Sequence, residues 1–195
     1  MLLMIAGKRK PIAWGTGWVF PVPTLLTRDG QRYHAEISSG VREPARPNHF
    51  GADIMYRRKS IADRPEYRAG TSDGSTMYFA PPNTPILAAK DGRVWSAQKT
   101  PRGWAVVIDH GKPWATFYQH LERVDLEPHA HGKSQSGIAT TVKAGDMIGT
   151  MGFDPLDSAK LRHLHFAPWY EGHGDSAVVD PAGEIANWRR EQWRI

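Results

Sequence analysis

A chain of 195 residues with 40% hydrophobic and 23% charged residues can bury a core of its own within one domain. Its mean hydropathy of −0.52 excludes a disordered or collagen-like chain, and no apolar run approaches the roughly eighteen residues of a membrane-spanning helix. Cysteine is absent, which excludes disulfides, thiolate metal sites and a cysteine nucleophile. The net charge of +5 suits an anionic partner, whether nucleic acid, acidic lipid or a carboxylate- and phosphate-rich cell wall, without choosing among them. In Met1 to Pro11 the basic residues follow a short apolar stretch, the reverse of a Sec signal, so none is expected.

In chain order, residues 1–45 read as an irregular N-terminal arm rich in Pro, Gly and Trp, packed on or over a core spanning 46–183. Residues 57–78 form a polar stretch expected to be an exposed loop. Pro85 to Ala89 and Arg93 to Ala97 are β-type runs, and Asp91-Gly92 between them predicts a hairpin. Trp104 to Asp109 is an apolar strand that turns at Asp109-His110-Gly111 into a strand over Trp114 to Leu121. Residues 126–141 read as a second long loop, containing His129 and His131. Met147 to Gly152 and Leu161 to Tyr170 are further strands. In the tail, 184–195, Ile185, Trp188 and Trp193 stand near helical spacing and predict a short C-terminal helix. The expected fold is mainly β: an antiparallel sheet with long loops and that one helix.

Three segments carry chemistry. His49 and Asp53 stand four residues apart, and imidazole and carboxylate are both zinc donors; the spacing also fits a helical ion pair. Pro47 and Gly51 disfavour a helix, so the pair is expected on a loop entering a strand. In His163-Leu164-His165-Phe166, strand alternation turns both imidazoles to one side and Leu164 to the other. Two histidines so placed can share a zinc site, one as ligand and one beside a bound water. In Tyr118-Gln119-His120-Leu121, alternation puts Tyr118 and His120 on one face, Phe117 and Leu121 on the other. A histidine projecting there without binding metal is a candidate proton carrier. His34, His110 and His173 are read as structural, and His129 and His131 as loop residues.

Taken together these segments resemble the lysostaphin/LytM-type zinc metallopeptidases, in order from Ser39 to Pro181. His49-Phe50-Gly51-Ala52-Asp53 is similar to the family's H-x-G-x-D pattern, Tyr118-Gln119-His120-Leu121 to its Y-x-H-L segment, and His163-Leu164-His165-Phe166 to its H-L-H-F signature. Gly92-Arg93-Val94, Val107 to Gly111, Val142 to Gly149 and Asp180-Pro181 resemble its remaining strands and ending, while Ala167 stands where many relatives carry Glu. The resemblance implies a zinc endopeptidase that cleaves peptide cross-links of bacterial peptidoglycan. His49, Asp53 and His165 would hold one zinc ion, and His120 and His163 would be the catalytic histidines; which of the two takes which proton step stays open. It further implies action at the cell wall, in a bacteriolytic, endolysin-type or virion-associated context. The alternative is a non-catalytic wall-binding or virion structural module of the same fold. The basic and aromatic residues fit the wall better than nucleic acid, because the Lys and Arg are scattered and no nucleic-acid motif occurs.

Overall fold

The computed structural model describes residues 12–58, 77–127, 140–158 and 160–195. Most of the two expected loops, with His129 and His131, and the first part of the N-terminal arm lie outside the described residues. In chain order the strands are β1 (Thr24–Leu26), β2 (Arg32–Tyr33), β3 (Ala35–Ser39), β4 (Ala52–Arg57), β5 (Tyr78–Phe79), β6 (Pro85–Leu87) and β7 (Gly92–Thr100). There follow β8 (Gly103–Asp109), β9 (Trp114–Val124), β10 (Thr141–Val142), β11 (Met147–Met151), β12 (Leu164–Tyr170) and β13 (Gln192–Arg194).

Ten strands make one sheet in the order β10-β7-β8-β9-β12-β4-β3, with β5 beside β4, β11 beside β9 and β6 beside β11. Every pairing in it is antiparallel. The alternation of β8, β9 and β12 explains its two faces. Val106, Ile108, Tyr118, Leu164 and Phe166 enter the main core. Val107, Ala115, Ala167 and Trp169 point the other way, into a smaller apolar cluster with Phe117 and Phe50.

Three expectations change. The strands flanking Asp91-Gly92 exist, but β6 pairs with β11, and β7 with β8 and β10. The hydrogen-bonding groups that would extend a hairpin are already used. Ala88 exchanges backbone bonds with Gly145 and Asp146, Ala89 N–H donates to the Tyr118 hydroxyl, and Ala89 C=O accepts from Val19. The Asp91 carboxylate accepts from Ala144 N–H instead of closing its own turn.

The described part of the N-terminal arm is not irregular: it supplies β1 and β2, and β3 edges the main sheet. Its Trp18, Phe20, Val22 and Leu25 are buried in the same core as the sheet. The C-terminal helix shrinks to one 3-10 turn, Ile185–Asn187, and the tail continues as β13, parallel to β1. The reason is again backbone satisfaction. Trp18 C=O and Phe20 N–H bond to Arg189, Thr24 N–H to Glu191, and Ile195 N–H to Leu26, so the tail finds its partners on the arm instead of within a helix. Trp188 stacks on Trp18 with ring centroids 4.6 Å apart, and Trp14 on Trp114 at 4.4 Å. Trp188→Ala should therefore destabilise the whole chain by about 3–5 kcal/mol, the usual cost of emptying a buried aromatic site. Denaturant unfolding should show one shifted transition; a tail that melts separately while the sheet's midpoint stays fixed would contradict this packing.

Candidate active site

The turn between β3 and β4 is built to aim His49. Glu43 accepts the Gly40 N–H at 2.5 Å, and backbone bonds from Arg42 N–H to His49 O, Arg46 N–H to Glu43 O and His49 N–H to Arg46 O close the loop. His49 Nδ1 donates to Gly40 O at 2.7 Å, which leaves Nε2 facing inward. Asp53 follows on β4, directly opposite His165 on β12. Cross-strand pairing thus sets the carboxylate and the imidazole side by side. Gly51 makes this approach possible, since a Cβ there would clash with His165 Nε2 and stand 2.6 Å from its Cε1.

His163 and His165 face one side while Leu164 enters the core, as alternation requires. His120 departs from it. Tyr118 and Leu121 are both in the core, whereas Phe117, Gln119 and His120 line the cleft. The pairing of β8 with β9 slips between Trp104 and Val106, a bulge that places an extra residue in β9. His120 takes it up with a left-handed φ of 67°. Gly103 and Gly152 leave the room: side chains there would meet the His120 backbone at 3.2 Å and 2.7 Å. The bulge therefore re-aims His120 away from the face it would otherwise share with Tyr118.

His49 Nε2, Asp53 Oδ1 and His165 Nδ1 form a triangle with edges of 3.0, 3.2 and 3.2 Å. Zinc bonds of about 2.0–2.1 Å in a tetrahedron set ligand atoms about 3.3–3.4 Å apart, so the spacing and the N/O donor set both fit that ion. With its Nδ1–H given to Gly40, a neutral His49 meets Asp53 lone pair to lone pair. Only a cation makes such an approach favourable. A proton supplies it for one pair, and a divalent ion would supply it for all three donors. Burial opposes charging of His49, but the adjacent Asp53 carboxylate raises its pKa. Burial also opposes ionisation of Asp53, yet hydrogen bonds from His165 and His49 and the charge of His163 hold it well below the usual carboxylate range.

Two further imidazoles border the triangle. His163 Nε2 lies 3.7 Å from Asp53 Oδ1, and its Nδ1 donates to Leu161 O at 2.7 Å. His120 Nδ1 donates to Arg102 O at 2.8 Å, and its ring centroid lies 4.7 Å from that of His163. Burial and the neighbouring His163 charge push the His120 pKa down to about 4. All five predicted residues line one open cleft of about 1130 Å³. The other described histidines lie elsewhere: His34 bonds Thr24, His110 bonds Asp91 O and Thr116, and His173 stacks on Trp95. The sequence reading missed Arg46, which bonds Asp53 at 2.7 Å, and Arg102, paired with the buried Asp154 beside His120. Arg46 had a signal, three residues before His49; the Arg102–Asp154 pair joins two distant turns and had none.

Residues 71–181 match peptidase family M23, more than half of the chain. The match includes His120, His163 and His165 and begins after His49 and Asp53, which the fold returns to them. Among solved structures, a zinc-containing peptidase from Vibrio cholerae is similar at a TM-score of 0.53 and 20% identity, over 86% of this chain and 40% of that one. The match thus spans about two fifths of that chain's length. The catalytic domain of lysostaphin from Staphylococcus simulans is similar at 0.52 and 18% identity, over 79% of this chain and 92% of that one. A SpoIIQ–SpoIIIAH pore-forming complex is similar at 0.51 and 18% identity, over 80% and 85%. These likenesses are of fold; with the family match, the chain belongs to peptidase family M23.

Proposed function

We propose that the chain is a zinc-dependent endopeptidase that hydrolyses peptide cross-links of bacterial peptidoglycan at the cell wall. The observation that carries this reading is the convergence of three donor atoms within 3.2 Å of one another beside two further imidazoles in an open cleft. His49, Asp53 and His165 would hold one zinc ion, whose chemistry when bound is to acidify water and polarise a carbonyl. His120 and His163 each have Nδ1 tied to a backbone carbonyl, so each presents Nε2 to the cleft. An imidazole so placed takes a proton from an attacking water while neutral and returns it to the leaving amine once charged. The basic surface suits an anionic wall.

The likeness to a pore-forming complex favours a second reading, in which the same fold binds or assembles without turnover. Release of new amines from purified cell walls, lost with a zinc chelator and restored by zinc, separates the two; binding alone without release would support the second.

His49→Ala, Asp53→Ala and His165→Ala should each lose stoichiometric zinc. His120→Ala and His163→Ala should keep the metal and lose about 10²–10⁴-fold in turnover. Metal analysis alongside amine release checks both, and full activity in a zinc-free His165→Ala protein would overturn the assignment. Gly51→Ala should weaken zinc binding about 10–100-fold by pushing the His165 ring aside, an effect of the size seen when a ligand loses its support. Chelator competition reads the affinity, and an unchanged value would show that the His165 ring has another resting place.

A further inference from the structure

The two oxygens of Asp53 have separate surroundings. Oδ1 faces His49 Nε2 at 3.0 Å, His165 Nδ1 at 3.2 Å and His163 Nε2 at 3.7 Å. Oδ2 instead accepts a hydrogen bond from Arg46 Nη1 at 2.7 Å. The same nitrogen reaches Ser39 Oγ at 3.0 Å, while the Arg46 backbone is pinned between Glu43 O and His49 N–H. Arg46 is therefore held at its backbone and at one guanidinium nitrogen. The Asp53 side chain is 8% exposed and that of Arg46 50%, so the bond closes the buried carboxylate on its outer side.

A carboxylate can ligate a metal through one oxygen or through both. The second mode uses an extra coordination position, and a hydrolytic zinc site needs that position for water or substrate. A charge-assisted bond at 2.7 Å from a guanidinium competes for Oδ2 lone pairs and fixes the rotation of the carboxylate plane. We propose that Arg46 is a positioning residue: by occupying Oδ2, it limits Asp53 to one-oxygen ligation and keeps a coordination place open. This rests on the zinc reading above. It makes Arg46 part of the reason that His49, Asp53 and His165 can form a working site, although Arg46 stands among the donors without being one.

Cobalt(II) substitution tests it, because four-coordinate cobalt absorbs visible light several-fold more intensely than five-coordinate cobalt. The full chain carrying one cobalt ion should show the intense spectrum. Arg46→Gln should bind cobalt in equal stoichiometry but with the visible band weakened several-fold, and with kcat lowered at least tenfold while KM changes less. Arg46→Lys, which keeps the charge and can reach the same oxygen, should restore part of the intensity. An Arg46→Gln spectrum equal to that of the unmodified chain, with only a lower melting temperature, would overturn the proposal and leave Arg46 a loop brace. Should Arg46→Gln fail to fold, Arg46→Met, which also removes the donor to Oδ2, decides in its place: a spectrum equal to that of the unmodified chain would count equally against the proposal. Failure of the unmodified chain to bind cobalt at all would instead overturn the zinc reading, so the two failures are distinct.

Discussion

A buried carboxylate held against imidazole lone pairs is the constraint from which the site follows. Asp53 is 5% exposed and His49 7%, and their facing atoms lie 3.0 Å apart. Moving an ionised carboxylate out of water costs several kcal/mol, which partner charges offset only with good geometry and satisfied remaining lone pairs. Both conditions visibly shape the fold here. The β4–β12 register sets Asp53 opposite His165, the β3–β4 turn sets His49 Nδ1 on Gly40 O, and Arg46 takes the outer oxygen. None of these would be chosen for stability alone, since an apolar pair at the same position on the sheet would be cheaper to bury. They make sense as a cradle for a cation.

The β9 bulge applies the same logic to His120. A left-handed φ on a non-glycine residue costs of order 1 kcal/mol or more, and regular pairing would have avoided it. Regular pairing would also have sent His120 into the core with Tyr118, away from His163. The surrounding structure supports the irregular conformation from three sides. Gly103 and Gly152 give it space, Arg102 O receives its Nδ1–H, and the His120 carbonyl accepts from Gly152 N–H at 2.7 Å. The ion pair of Arg102 with Asp154 then ties the β7–β8 turn to the segment after β11. One of the sheet's register shifts thus falls where it re-aims His120 toward the cleft, while β12 pairs with β4 and β9 without a shift.

What could be read from the sequence follows from how local each determinant is. The i, i+2 spacing of His163 and His165 fixes their common face in any strand, so that pair was legible without tertiary knowledge. His49 and Asp53 were legible as a loop-to-strand pair through Pro47 and Gly51, which disfavour the helical alternative. The strands around Asp109-His110-Gly111 carry their own turn signal and fold as expected. Asp91-Gly92 carries an equally strong signal and does not close a hairpin, because the groups of Ala88 and Ala89 are claimed by residues far away in sequence. The tail shows the same effect: Ile185, Trp188 and Trp193 suit a helix, but β1 offers an unpaired edge and Trp18 a stacking partner. The bulge at His120 was invisible because it arises from a mismatch between two strands, which neither strand shows alone.

The division of the proposed ligand set across the sheet would link the site to the stability of the whole chain. Asp53 and His49 come from β4 and the turn before it, His165 comes from β12, and the two strands are joined by their ladder and the core beneath. That core includes Trp18 and Phe20 from the arm, and Trp188 from the tail. A cation bound to all three donors would bridge sequence-distant strands in the folded chain and find no such arrangement in the unfolded one, so binding would stabilise the native state by mass action. Conversely, a change that shifts the β4–β12 ladder would also move His165 relative to Asp53, because that register sets the pair. Residues 12–58 lie outside the stretch that matches the family, yet they carry two of the three proposed donors: without β4 and its preceding turn, His165 alone of the three would remain beside His120 and His163.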